Sequence, residues 1–135
     1  MENNIIELTQ CNDIEGVKKA IADGMDINIL YESTSLFADS LLTTLMLATQ
    51  WGLNEIAELL IENKAKLDLQ TKYGLTALMI ASCFGNIRIA KQLIEKGANQ
   101  DLKDCMGKTA LMKAIYWGHA EIIELLTTKR LRQQE

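Results

Sequence analysis

Reactive side chains are few in this chain of 135 residues: one histidine, His119, and three cysteines, Cys11, Cys83 and Cys105. The cysteines form no C-x-x-C pair, and together with a lone histidine they give no recognised metal-ligand spacing, so no metal site is expected. An odd number of unpaired cysteines reads as free thiols in a reducing compartment. Gly107, Lys108 and Thr109 look like the end of a phosphate-binding loop, whose lysine and hydroxyl would hold phosphate and magnesium. The first glycine of such a loop would have to stand at Leu102, so that chemistry is rejected. A serine or cysteine triad through His119 would need a further base, and no residue of the right type is without another explanation. No catalytic residue and no cofactor are expected, and enzymatic activity is kept only as the last alternative.

A different pattern points to binding. Trp51, Phe84 and Trp117 follow one another at intervals of 33 residues, preceded by Gln50, Cys83 and Tyr116. Aromatic residues make up 5% of the chain, so three at one register position concentrate a scarce residue type. Buried against a partner, such anchors contribute about 2 kcal/mol or more each. The alternative is that they merely cover helix ends.

The interval of 33 runs through the chain. Gly74, Thr76, Ala77, Leu78, Met79, Ala81 and Gly85 recur as Gly107, Thr109, Ala110, Leu111, Met112, Ala114 and Gly118. Thr43, Leu45, Met46, Ala48 and Gly52 form an earlier copy, with Leu41 in place of the turn glycine. This period with its T-x-L-x-x-A core resembles the ankyrin repeat. The resemblance extends to the segment Gly97, Ala98, Asn99, Gln100, Asp101, and more loosely to Lys64–Asp68 and Gly24–Asn28. It implies an all-α solenoid of about four helix-turn-helix repeats with short hairpin loops, forming a single domain over 1–135. The cap repeats would be about 1–28 and 102–135, and the middle repeats about 29–68 and 69–101.

Within residues 71–103, Thr76 should open a first helix that Gly85 ends. Asn86 should open a second helix, with Ile87, Ala90, Leu93 and Ile94 inward and Arg88, Lys91, Gln92 and Glu95 in water. Leu78 and Leu93 then need Leu45, Leu60, Leu111 and Leu126 from neighbouring repeats. Met46, Met79 and Met112 are expected to pack between adjacent first helices. The family's T-P-L-H reads T-T-L-M or T-A-L-M here, and the chain has no proline. An array less stable than the consensus is the expected consequence.

The first hairpin-to-helix connection is seven residues too long, because Gly24 precedes Lys64 by 40 residues. Tyr31, Leu36, Phe37, Leu41 and Leu42 make this insertion apolar, and two readings stand: a binding finger or an extension of the cap. In the family the usual binding surface is concave, built from first helices and hairpin tips. Carried over, it comprises Gln50, Trp51, Cys83, Phe84, Tyr116 and Trp117, flanked by Tyr73, Leu75, Met106 and Lys108, with Tyr31 and Phe37 from the insertion. His119 takes the family's G-H position, where it caps or packs.

Net charge is −4, divided as −9 over residues 1–62 and +5 over 63–135. A solenoid would turn that asymmetry into a dipole able to orient a charged partner. Overall acidity and the lack of a basic aromatic cluster argue against nucleic acid. No apolar run is long enough to span a membrane, and Met1–Asn4 does not begin a signal peptide, so a cytoplasmic monomer is expected. The Met1 start and the basic, polar end read as a complete chain. A protein-recognition module that binds one partner is the leading reading, with a self-assembling structural solenoid as the alternative. Lys129, Arg130 and Arg132 suggest that the C-terminal end is solvated.

Overall fold

Three helices begin immediately after a threonine, and the hydroxyl is the reason. Thr43, Thr76 and Thr109 each accept a hydrogen bond from the backbone N–H three residues on, at Met46, Met79 and Met112, over 3.1, 3.2 and 3.3 Å. That bond satisfies an amide of the first turn that has no intrahelical acceptor. In this computed structural model, which describes residues 4–33 and 40–134, the helices are α1 (Ile5–Gln10), α2 (Ile14–Ala22), α3 (Thr44–Gln50), α4 (Asn54–Glu62), α5 (Ala77–Phe84), α6 (Ile87–Glu95), α7 (Ala110–Trp117) and α8 (Ala120–Gln134). They pair within repeats, and like helices stack between repeats: α1 against α3, α3 against α5, α5 against α7, and α2, α4, α6 and α8 in a second row.

The helix-to-helix turns use the left-handed region, as the glycine spacing implied. Gly52, Gly85 and Gly118 have φ of 68°, 70° and 72°, and Asn12 fills the same place in the first repeat at 53°. Asparagine tolerates this conformation better than most side chains. At Gly85 a second constraint applies, since an added Cβ would lie 2.6 Å from the His119 ring. His119 occupies that space and its Nε2 lies 2.9 Å from the Cys83 carbonyl oxygen, which ties the last two repeats together. Its role in the described structure is packing and bridging.

One contiguous core runs the length of the array. Leu45, Leu60, Leu78 and Leu93 are each no more than 1% exposed, and Leu126 closes the row at 2%. Leu111 is only half-buried against this core. Two sequence expectations for α6 need correction. Ile89, rather than Ile87, is the fully buried residue of its first turn, while Ile87 is 38% exposed. Asn86 accepts a hydrogen bond from the Ile89 amide, which sets the helix phase so that 89, 90, 93 and 94 share the inward face. Gln92 is half-buried, with its Oε1 enclosed, instead of facing water. The methionine stripe is also interrupted: Met46 and Met79 are buried, but Met112 is 47% exposed, no first helix among the described residues stacking on the outer side of α7.

The insertion adds an element that the all-α reading lacked. Strands β1 (Leu30–Ser33) and β2 (Ser40–Thr43) pair antiparallel, with Leu30 opposite Thr43 and Ser33 opposite Ser40. Strand alternation turns Leu42 into the core and leaves Leu41 49% exposed. Phe37 lies outside the described residues.

Between repeats the hairpins are joined by hydrogen bonds from backbone amides, two to side chains and one to a carbonyl. Asp68 Oδ1 accepts from the Asn99 amide at 2.8 Å, Asn28 Oδ1 from the Lys66 amide at 2.9 Å, and the Cys105 amide donates to the Tyr73 carbonyl at 2.9 Å. Asp104 organises the last hairpin. Its Oδ1 accepts from the Met106 and Lys108 amides, both at 2.9 Å, and its Oδ2 lies 2.6 Å from Lys113 Nζ. Both side chains are largely enclosed, at 7% and 15% exposure.

Burial alone would raise the Asp104 pKa, but the Lys113 hydrogen bond and the two amides outweigh it and hold the carboxyl below its ordinary value. A depressed carboxylate stabilises the fold above the unfolded pKa of about 3.9 and loses that contribution as pH falls through the folded value. Asp104→Asn should therefore cost about 2 kcal/mol at pH 7 and flatten the acid side of the stability profile below about pH 4. Urea melts of both proteins between neutral and acid pH check this. A variant whose deficit persists undiminished in acid would show that the charge is not the source.

Candidate binding surface

The three aromatic residues at the shared register stand where each first helix ends. Trp51 caps α3, Phe84 closes α5 and Trp117 closes α7, each followed by a left-handed glycine. Reversal of the chain at the glycine keeps the preceding side chain at the rim of the core. They are 52%, 50% and 59% exposed, so roughly half of each ring is seated on the protein and half is open.

Trp51 and Phe84 are brought together. They line one shallow groove of about 540 Å³ with Gln50, Asn54, Ile87 and Arg88, at the edge formed by the helix-to-helix turns. Arg88 is held there by both carboxylate oxygens of Glu58, one contact being 2.9 Å. Trp117 joins the row differently. Its ring meets Tyr116 edge to face at 5.1 Å and 82°.

Cys83 itself is half-buried and free, as Cys11 and Cys105 are free and exposed. Burial, reinforced by Asp104, pushes its thiol pKa up against the opposing effects of Lys113 and Trp117. A raised thiol pKa is the reverse of what a nucleophile needs.

The remaining expected residues divide by exposure. Tyr116 is 79% and Met106 76% exposed, and Lys108 is also open to solvent. Tyr73 is 42% exposed at its hairpin tip, with Lys72 Nζ 5.8 Å from the ring centre. Leu75 is turned the other way and packs against the core, and Gln50 is half-buried. Tyr31 is placed by its backbone in β1, opposite Leu42.

Sequence reasoning did not pick out Ile115, which is 57% exposed on α7, or the Asp104–Lys113 pair. Both were signalled by a break in the repeat. Lys113 stands where Leu47 and Ile80 are buried, and Ile115 where Thr49 and Ser82 are.

Among the described residues no group of three or more His, Cys, Asp or Glu side chains could hold a metal ion. No described helix is long and apolar enough to cross a membrane. The family model for ankyrin repeats, written as three copies, matches residues 6–104 and 45–134. No curated protein matches the chain.

Proposed function

Because the chain belongs to the ankyrin-repeat family, whose members generally mediate protein–protein contacts, we propose that it is a non-catalytic adaptor, inhibitor or immunity-type module that holds one protein partner. The observation that supports this most is the row of half-exposed rings at Trp51, Phe84 and Trp117, presented at the same register by three stacked helices. Aromatic residues with two rotatable bonds lose little entropy on contact and bury a large area, which suits them as anchors. Tyr73, Met106 and Lys108 at the hairpin tips supply the polar and flexible rim. The protein acts as a cytoplasmic monomer, and the acidic first half and basic second half orient the partner on approach.

The test is a triple variant, Trp51→Ala, Phe84→Ala and Trp117→Ala, compared with the wild type for retention of proteins from a native lysate. A partner identified by mass spectrometry should be held by the wild type and weakened at least about tenfold in the variant, with helical content and melting temperature nearly unchanged. Equal retention by both chains would remove the aromatic row from the interface. A large drop in melting temperature would make the three rings part of the fold's support.

A further inference from the structure

The first helices turn the same face toward the next repeat, and burial along that face can be followed from copy to copy. Thr9, Thr49 and Ser82 share one register and are each 0% exposed. Their hydroxyls donate to the carbonyls four residues back, Ile5, Leu45 and Leu78, at 2.7, 2.7 and 2.8 Å. The fourth copy is Ile115, at 57%. Nearly one turn earlier Ile6, Met46 and Met79 are 7%, 2% and 1% exposed, and the fourth copy, Met112, is 47%. In the first three repeats the following first helix supplies the cover, and α7 has no such neighbour among the described residues. With Tyr116, these residues make an exposed stripe at helical spacing.

The second helix of the same repeat changes in the opposite sense. Ile61 and Ile94 are each 4% exposed, and at their register α8 carries Thr127, which is exposed and donates to the Ile123 carbonyl at 2.6 Å. On the outer side of the described repeats α8 thus carries exposed Thr127 beside half-buried Ile123, whereas α7 carries exposed Met112 and Ile115. Stacking another repeat of the same geometry would favour the reverse at both places: an apolar residue at 127, and a small hydroxyl residue at 115, where isoleucine overfills a close helix contact. What remains is a strip one helix wide. The hairpin leading into α7 carries exposed Lys103 and Lys108, its Asp104 carboxylate is engaged by Lys113, and exposed Asp101 precedes it, so residues 101–113 hold three lysines against two carboxylates.

We propose that the outer face of α7, through Met112 and Ile115, is a second docking site, and that its occupant is a single amphipathic helix of a protein partner, apolar along one stripe and acidic on its flanks. The outward width of one helix sets the shape of the occupant, and the exposed lysines of the hairpin leading into it set its charge. This surface is separate from the groove at Trp51 and Phe84.

The probe is a fluorescein-labelled synthetic helix of about 18 residues, with leucines on one face and glutamates flanking them, titrated by anisotropy against the full chain. Two control peptides are a scrambled sequence and the same helix flanked by lysines. Saturable binding of the acidic helix is expected, weakened roughly tenfold or more in Met112→Glu and in Ile115→Glu, and roughly tenfold weaker for the lysine-flanked peptide. Both substitutions are at exposed positions, so circular dichroism and melting should match the wild type. Phe84→Ala should bind the peptide as the wild type does. Absence of saturable binding, or equal binding of the two charged peptides, overturns the proposal. Loss in Phe84→Ala with none in Ile115→Glu would assign the peptide to the aromatic groove and overturn it too. Sedimentation showing a wild-type dimer that Ile115→Glu dissolves would make a second copy the occupant, again overturning the stated one.

Discussion

Replacing Gly74 by alanine should cost about 3 kcal/mol of unfolding free energy, whereas the same change at Gly107, one repeat later, should cost about 1 kcal/mol. Both glycines hold left-handed backbone, with φ of 81° and 76°, so both variants share the conformational penalty of a side chain in that region. Their surroundings differ. A Cβ on Gly74 would lie 2.7 Å from Asp104 Cα and 3.0 Å from both the Asp104 carbonyl carbon and the Cys105 nitrogen. These are backbone atoms, fixed by the bond from the Cys105 amide to the Tyr73 carbonyl at 2.9 Å, so relief would require parting the two hairpins. At Gly107 nothing lies within 4 Å of the position. Urea denaturation of the two single variants measures the difference. Equal losses would mean that the hairpins separate at little cost and contribute little to repeat coupling.

This contrast marks what a repeat can and cannot reveal in advance. The recurring Gly-x-Thr gave the turn, the cap and the register of α5 and α7, and the threonine alone gave the cap of α3, because those depend on local backbone geometry. The closeness of Gly74 to the next hairpin depends on which repeat follows, and identical motifs at 74 and 107 conceal it. The same reasoning covers Met112. Its residue type matches Met46 and Met79, and its exposure comes only from its place in the stack.

Ile87 was misassigned for another reason. In a helix of nine residues, the phase set by the Asn86 cap decides between Ile87 and Ile89, and both fit an apolar spacing on paper. The β pair in the insertion interrupts the period of 33, so the repeat offered no template for it. Of the candidate surface, the aromatic register was legible, whereas the edge-to-face seating of Trp117 on Tyr116 depends on side-chain geometry that the repeat does not encode.

Leu93→Ala should produce the largest single loss of stability, about 3–5 kcal/mol, and should also change how the array unfolds. Leu93 is 0% exposed on α6, which packs between α4 on one side and α8 on the other. Removing three buried carbons leaves a cavity bordered by helices of three repeats, and a solenoid holds together only through such nearest-neighbour interfaces. The chain provides reporters on each side of the break, since its two tryptophans are Trp51, on the second repeat, and Trp117, on the fourth. Trp51→Phe and Trp117→Phe each leave a single reporter. In the otherwise native chain the two should show coincident urea transitions. Adding Leu93→Ala should separate them, with Trp117 released at lower urea, because among the described residues α7 and α8 are stacked on one side only whereas the Trp51 repeat is stacked on both. Transitions that shift together by the full amount would instead show that the four repeats unfold as one unit, with coupling between them stronger than the loss at Leu93.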